Sequence, residues 1–445
     1  MAILTEEQAR ALMKKALSYS KADECMISLN GGDSANIRYA RNSVSTSGSV
    51  GRNSLAVSSA FGKKLGIATI NEFDDASLEK VVRRSEELAQ LAPENPEYMP
   101  FLGPQAYDAP GKTFVQSTAD MTPKQRADMV QQSLQVAKDS NLTAAGFLEN
   151  STGFSAIMNS KGLFAYNAGT DINLSVSLRT QDGTGSGYAT RGFNDASKMD
   201  TLAFTKIAAQ KASRSSGAKA LEPGKYTVIL EPAAGIVLLE QLYGSLDARS
   251  ADEGRSFLSL PGGKTRLGEK LVDERVNIYS DASNPDLPAQ TWAGDGQPLK
   301  KVNWIEKGVV KNLSYSRYWA QKKGVPSMPG PANIIMDGGT QSLEDLIKST
   351  EKGILVTRLW YIRPVDPKTL LYTGLTRDGT FYIENGQIKF PVKNFRFNES
   401  PIIMLNNLEA LGKSERTISG ESGENALIPP MKIRDFTFSS LSDAV

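Results

Sequence analysis

The chain of 445 residues contains no histidine and only one cysteine, Cys25. Neutral imidazole is the commonest zinc ligand and the side chain that titrates nearest neutral pH. Without it, Ser-His-Asp and Cys-His catalysis are impossible within this chain. A zinc site would have to use carboxylates and one thiol, so we expect no metal site here. A single cysteine also excludes an internal disulfide, which suits a reducing compartment.

Long apolar runs and an excess of charge of one sign are also missing. No stretch approaches the roughly 20 apolar residues that a membrane span needs, and the N-terminus lacks the pattern of a secretory signal. The 51 basic and 49 acidic residues leave a net charge of +2, which gives no electrostatic footprint for nucleic acid. With 40% apolar and 22% charged residues, the composition is typical of a soluble globular protein. We therefore expect a cytoplasmic protein that binds neither membranes nor nucleic acid.

In the first half, helical and β-rich blocks alternate. Thr5 and Gln8 form a capping-box pattern before an apolar helical repeat. From residue 25 to 70, short β-rich runs are separated by Gly31-Gly32, Asn-Ser and Gly-Lys-Lys, which predict turns of an antiparallel sheet. Residues 143–190 again have the pattern of a β-meander.

The best linker candidate is the Ser- and Gly-containing stretch at residues 215–224. It predicts an N-terminal α/β domain with an antiparallel sheet at residues 1–220 and a β-rich domain with a few helices at 221–445. Helices and antiparallel hairpins in separate blocks indicate the α+β class.

The second half opens with a buried strand at residues 226–230 and an apolar helix from Pro232 through Leu246. Beyond it the pattern is mostly β, and Asn385-Gly386 is the strongest short hairpin signal in the chain.

The glycine-rich segments do not predict a nucleotide site. The run from Gly183 to Gly187 has β-like sequence on both sides, whereas a dinucleotide fingerprint needs a strand followed by a helix. Gly262-Gly263-Lys264-Thr265 resembles the end of a phosphate-binding loop, but the required first glycine is replaced by Leu258. Both are interpreted as ordinary loops.

The densest charged cluster follows the apolar helix and contains Arg249, Asp252, Glu253 and Arg255. Two interpretations are open. The guanidinium groups of Arg249 and Arg255 could present paired donors to a peptide carboxylate. Alternatively, the four residues form a helix end and loop held by mutual ion pairs, which are common and energetically weak at surfaces.

Several segments, taken in order, resemble the TldD/PmbA (TldD/TldE) family, whose legacy name is modulators of DNA gyrase. The resemblance covers nearly the whole chain. It lies in NIRYARNSVSTSGSVG, FGKKLGIATINEFDDASLEKVVRRSEELAQLAPENPEYMPF, GSGYATRGFND, VILEPAAGIVLLEQL, DARSADEGRSFLS, WIEKGVVKNLSYSRYWAQKKG, GILVTRLWYIRPVDP, FYIENGQIKFPVKNF and PPMKIRDFTF.

The resemblance implies a heterodimer that cleaves unstructured peptides. One subunit carries zinc on a His-Glu-x-x-x-His helix and the other lacks that motif. In this chain, Glu240, Gln241 and Ser245 stand where the zinc subunit has His, Glu and His, and they cannot recreate that site. The chain thus resembles the TldE/PmbA-type partner, with no catalytic residue and with zinc expected in a TldD-like paralogue.

In this interpretation Arg249, Asp252 and Arg255 are candidates for contacts with peptide or partner, and a homodimer is a further possibility. Two other functions are open. One is a stand-alone peptide-binding or scaffold protein derived from the peptidase fold. The other is a hydrolase that works through carboxylates such as Glu231 and Glu240. DNA gyrase or nucleic-acid binding rests only on the legacy name, and the balanced charge does not support it.

Overall fold

The structure, a computed structural model, describes residues 3–442. The capping box predicted at Thr5 and Gln8 is present. Along the first half the elements are α1 (Glu6–Ser18), β1 (Glu24–Ala40), β2 (Ser43–Phe61), β3 (Lys64–Ile70), α2 (Asp75–Leu91), α3 (Gln116–Ala119), α4 (Pro123–Asp139), β4 (Leu142–Asn159), β5 (Phe164–Thr180), β6 (Ser186–Phe193), a 3-10 turn (Ala196–Lys198) and α5 (Thr201–Ser215).

The strands of the first half form one antiparallel sheet in the order β3-β2-β1-β4-β5-β6. The turn predicted at Gly31-Gly32 is wrong, because β1 runs through this pair as a strand of 17 residues. Here the backbones of β1 and β4 approach closely, so that a Cβ on Gly32 would lie 2.4 Å from the carbonyl oxygen of Thr152. Glycine in a strand interior marks this kind of close approach as well as a turn.

Two hydrophobic cores form along the length of this sheet. Ile27 and Leu29 of β1 are fully buried in the core that includes α1 and α2. Further along the same strand, Ile37 and Tyr39 belong to the core that includes α4 and α5. Alternate residues are buried near both ends of β1, as expected for a sheet with one face covered by helices.

The second half is mostly β. Its elements are β7 (Gly224–Leu230), α6 (Pro232–Gly244), α7 (Ala248–Asp252), β8 (Ser259–Leu260), a 3-10 turn (Pro261–Gly263), β9 (Lys264–Thr265), β10 (Ile278–Ser280), β11 (Val302–Glu306), β12 (Val309–Val310), α8 (Arg317–Lys323), β13 (Ile334–Met336), α9 (Leu343–Lys348), β14 (Lys352–Asp366), β15 (Leu371–Glu384), β16 (Gln387–Pro391), β17 (Phe395–Glu399), α10 (Pro401–Asn406), β18 (Leu408–Leu411), β19 (Glu415–Ile418), β20 (Asn425–Ile428) and β21 (Met431–Leu441).

Five of these strands close a barrel. The order is β14-β7-β21-β17-β15, and β15 pairs again with β14; β16 extends from β15 and β18 from β21. A separate mixed sheet has the order β12-β11-β10-β13-β20-β19. Helix α6 shares one large core with the barrel and this sheet. Burial on nearly all sides explains why the helix sequence is apolar all round.

The α+β class predicted from the sequence is confirmed by these mixed elements and largely antiparallel sheets. The hairpin predicted at Asn385-Gly386 is present between β15 and β16, with positive φ angles of 51° and 71° at the two turn residues. The apolar helix ends at Gly244, two residues before the predicted Leu246. The predicted boundary near residue 220 falls between α5 and β7, and the two-domain division stays a prediction. Within residues 3–442, no helix is long and apolar enough to cross a bilayer.

Candidate functional site

Helix α6 carries the positions that the family resemblance identifies with the zinc motif. Glu231 precedes its first residue, Pro232, and the helix then buries its apolar side chains in the large core. Glu240 and Gln241, in its last two turns, are partly exposed. Ser245 follows the last helical residue and caps the helix.

The carboxylate of Glu240 is held by the loop between β19 and β20. Ser419 Oγ donates to Glu240 Oε2 at 3.0 Å, and Ser422 Oγ donates to Oε1 at 2.6 Å. Burial raises the pKa of the Glu240 carboxyl, and the two serine hydroxyls oppose that shift. Both carboxylate oxygens are therefore engaged within the chain.

The other two motif positions bond back to their own helix. Gln241 Nε2 donates to the carbonyl oxygen of Val237 at 3.4 Å, and Ser245 Oγ donates to the carbonyl oxygen of Gln241 at 2.7 Å. The side chains of Glu240, Gln241 and Ser245 thus do not converge on one point.

These residues do not fit zinc. A catalytic zinc site needs three protein ligands, most often imidazole nitrogens with a carboxylate or thiolate, around one open position. Over the described range of residues 3–442, no group of three or more Cys, Asp and Glu side chains is arranged to hold a metal. Cys25 is buried in the first-half core, where burial raises the pKa of its thiol.

A polar cleft of about 510 Å³ adjoins the C-terminal end of α6 and is lined by both halves of the chain. Asp171 of β5 and Arg416 of β19 lie in it. Burial raises the pKa of Asp171 to about 6, and Arg416 opposes that shift. Arg416 Nη1 donates to Asn194 Oδ1 at 2.7 Å, whereas its Nε is buried without a partner. The cleft can therefore offer both an acceptor and a donor to a polar ligand.

The opposite end of α6 is joined to the first half by an ion pair. Lys211 Nζ of α5 lies 2.6 Å from Glu231 Oε2, and these side chains are only 14% and 12% exposed. A second cross-link joins Arg191 of β6 to Glu415 of β19 at 2.9 Å. These pairs fix α5 and β6 against α6 and β19.

The charged cluster after α6 is engaged within the chain. Arg249 Nη1 and Nη2 each donate to the carboxylate of Glu97 at 2.8 Å, which ties the proline-rich connection after α2 to α7. Asp252 accepts from Trp319 Nε1 at 2.8 Å. Arg255 contacts Glu253 at 2.6 Å. Arg249 also lies 3.0 Å from Glu253, so the two arginines share this carboxylate as the ion-paired alternative expects, whereas Asp252 pairs with Lys323 outside the cluster. A contact with peptide or partner stays a prediction for Arg249, Asp252 and Arg255.

Sequence reasoning did not find Asp171, Arg416, Lys211 or the serine loop. Asp171 and Arg416 are 245 positions apart in the chain, and only the fold brings them together. No short sequence motif contains both residues. The Ser-Gly-Glu-Ser-Gly run from Ser419 to Gly423 is a loop signal, but nothing local connects it to Glu240.

The matches to protein-family profiles extend over most of the chain. Domain 1 of the PmbA/TldA metallopeptidases matches residues 25–89, the central domain matches 117–216 and the C-terminal domain matches 223–440. The chain belongs to the PmbA/TldA metallopeptidase family, which confirms the family predicted from the sequence.

Curated relatives are distant. An uncharacterized protein of Methanocaldococcus jannaschii is 24% identical over 371 residues, which cover 79% of this chain and 83% of that protein. A metalloprotease of Methanothermobacter thermautotrophicus is 24% identical over 63% of this chain and 66% of its own length. The metalloprotease PmbA of Escherichia coli O157:H7 is 25% identical, and the match covers just under half of each protein, 47% and 46%.

Two solved structures share the fold over almost their full length. TldE from Thermococcus kodakarensis has a TM-score of 0.86 at 19% identity and covers 97% of this chain and 99% of its own. A Thermotoga maritima protein from the group named modulators of DNA gyrase has a TM-score of 0.85 at 18% identity, with coverages of 97% and 100%. At identities this low, the high TM-scores and coverage show a shared fold and no more.

Proposed function

We propose that this chain is the non-catalytic, TldE/PmbA-type subunit of a cytoplasmic zinc metallopeptidase that degrades or processes unstructured peptides. A TldD-like paralogue would supply the zinc and the catalytic residues. This chain would shape part of the cleft and hold peptide, and a homodimer could form when the paralogue is absent.

The proposal depends mainly on the side chains of α6 and on the hydrogen bonds that they form. The family resemblance assigns Glu240, Gln241 and Ser245 of this helix to the motif positions, and hydrogen bonds within the chain occupy all three side chains. No imidazole is available anywhere in the sequence. A helix of this kind cannot activate a metal-bound water, so the chemistry would come from another chain.

An open strand edge in the first half supports association with another chain. Strand β3 pairs with β2 only from Leu55 to Phe61. Residues 43–52 of β2 are exposed throughout. Such an edge can take up a further strand from a partner or a peptide through main-chain hydrogen bonds.

The carboxylate-hydrolase alternative is less well supported. Glu231 is paired with Lys211, and Glu240 lies nine residues further along α6. At 1.5 Å per residue this is about 13 Å, beyond the roughly 5–9.5 Å between the paired carboxyl groups of glycoside hydrolases. A stand-alone peptide-binding or scaffold protein is the second candidate, favoured if the same genome encodes no paralogue with a His-Glu-x-x-x-His helix.

The test is cleavage of an unstructured peptide by this chain, by the zinc-bearing paralogue and by an equimolar mixture, each with and without a chelator. We expect activity in the mixture well above that of the paralogue alone, abolished by chelation, and none from this chain alone. Chelator-insensitive cleavage that stays with this chain through repurification would contradict the proposal. A mixture no more active than the paralogue would favour the scaffold function.

A further inference from the structure

A groove of about 920 Å³ lies between helices α5 and α9, over one face of the barrel. Its floor includes Leu355 of β14, Phe381 of β15 and Ile388 of β16, while Ile207 projects from α5 and Ile347 from α9. The volume is at the upper end of the range for small-molecule sites, large enough for a short peptide segment.

This groove is separate from the zinc-motif positions. It reaches α6 only at Glu231, Pro232 and Ala233, the N-terminal end of the helix. Glu240 lies seven residues beyond Ala233, about 10 Å further along the helix axis. The polar cleft at the other end of α6 has a different lining.

The charge of the groove is unbalanced. Six basic and three acidic side chains line it. Two of the acidic ones are neutralised, Glu231 by Lys211 and Glu415 by Arg191, which leaves Glu344. Within residues 3–442, four lining cations form no ion pair, and they are Arg214, Lys348, Lys389 and Lys413. This one groove therefore holds an excess of three positive charges, whereas the whole chain carries only +2.

The apolar part of the groove is accessible and mostly aliphatic. Ile207 is 39% exposed on the α5 wall, and Ile347 and Ile388 are half-buried. Single-stranded nucleic acid depends on free aromatic surfaces for stacking. Of the aromatic residues in the lining, Tyr188 and Phe381 are only 6% and 1% exposed, and the half-buried Phe390 already stacks on Tyr382 with ring centroids 4.9 Å apart. A floor of this kind suits aliphatic side chains better than bases.

We propose that this groove binds an acidic peptide segment that carries aliphatic side chains. The unpaired cations attract the carboxylates, and the apolar floor takes the aliphatic groups. The inference deepens the peptide-binding role proposed above and rests on it for its biological meaning, although binding itself can be measured on this chain alone.

The test is fluorescence anisotropy of the full chain with labelled twelve-residue peptides. One peptide alternates Leu and Glu, the second has Lys in place of Glu, and the third has Ser in place of Leu. We expect the Leu-Glu peptide to bind about tenfold or more tightly than either of the others, and its binding to weaken as sodium chloride is raised.

Paired variants separate the groove from general surface charge. Lys389→Glu combined with Lys413→Glu should weaken Leu-Glu binding by about tenfold, whereas Lys80→Glu, exposed on α2, should not. Ile207→Ser should also weaken binding. Its matched control is Leu202→Ser on the same helix, which has the same 39% exposure and lies outside the groove.

Three results would overturn the inference: equal binding of the Leu-Lys peptide, tighter binding of a single-stranded oligonucleotide, or full affinity in the Lys389/Lys413 double variant while it stays folded by circular dichroism. Failure here is distinguishable from failure of the proposed function. Paralogue activation with no groove binding would leave the function standing, and groove binding with no activation would favour the scaffold alternative.

Discussion

The ion pair between Lys211 and Glu231 gives a quantitative test of how the two halves of the chain are joined. Lys211→Met removes the charge and keeps most of the side-chain volume. Glu231 then retains a largely buried carboxylate without its cation, and its remaining contacts include the Thr357 hydroxyl at 3.4 Å and the N-terminal end of α6. The helix dipole contributes about 0.3–1 kcal/mol to such a carboxylate.

The expected loss in the free energy of unfolding depends on how deeply the ion pair is buried. Removing one partner of a buried ion pair costs about 3–5 kcal/mol. Because Lys211 and Glu231 keep 14% and 12% of their side-chain surface exposed, we expect a smaller loss of about 2–3 kcal/mol in the free energy of unfolding. For a cooperative unit of about 200 residues this lowers Tm by about 5–10 °C.

The assay is urea and thermal unfolding followed by circular dichroism and tryptophan fluorescence. Lys211→Met combined with Glu231→Gln removes both charges and should lose only about 1 kcal/mol, because no uncompensated carboxylate is left. Lys206→Met, an exposed lysine on the same helix, should stay within about 0.5 kcal/mol of the wild type.

Two results would refute the reasoning. One is a Lys211→Met variant as stable as the Lys206→Met control. The other is a double variant that loses as much as the sum of its single variants, since additivity would mean that the two charges do not interact in the folded protein.

Three further predictions concern the site. Burial raises the pKa of Asp171 to about 6, so the folded protein holds this proton more tightly than the unfolded chain, and the resulting stability is lost as pH rises from about 4 to 6. The free energy of unfolding of Asp171→Asn, relative to wild type, should therefore increase by about 2–3 kcal/mol between pH 4 and pH 7.5 in urea titrations. A difference in unfolding free energy that does not change with pH would contradict this. Arg249→Ala should speed proteolysis of residues 93–110 several-fold, measured by timed gel analysis, because Arg249 holds Glu97 of this segment. Arg255→Ala should not, because the Arg255 side chain pairs with Glu253 in its own loop. Equal rates would mean that Arg249 does not hold this segment. Glu240→Gln should leave activation of the paralogue within about twofold in the peptide-cleavage assay, because we expect Glu240 to transfer no proton in the reaction. A loss of about 100-fold, as on removal of a proton-transfer group, would contradict this.

Much of the fold is encoded locally and could be predicted. The capping box at Thr5 and the hairpin at Asn385-Gly386 depend on residues within a few positions of each other. The turn predicted at Gly31-Gly32 failed because local sequence does not show whether glycine serves a turn or a close approach. The deciding neighbour, Thr152 of β4, is 120 positions away.

For the candidate site, the sequence alone shows that no histidine is available. This absence of histidine does not depend on the fold, whereas the assignment of Glu240, Gln241 and Ser245 to the motif positions stays a prediction from the family resemblance. The partners of the site residues could not be inferred. Glu97 meets Arg249, and Ser422 meets Glu240, only after long-range packing brings them together.

The central claim, that this chain assists a zinc peptidase without performing the chemistry, is tested most directly by titration. A fixed concentration of the zinc-bearing paralogue is mixed with increasing amounts of this chain, and kcat/KM for an unstructured peptide is measured together with bound zinc. The account predicts that activity rises and saturates at a fixed stoichiometry, and that all zinc is lost when the paralogue's motif histidines are replaced. Cleavage that persists with this mutated paralogue, or that grows in proportion to this chain without saturation, would contradict it.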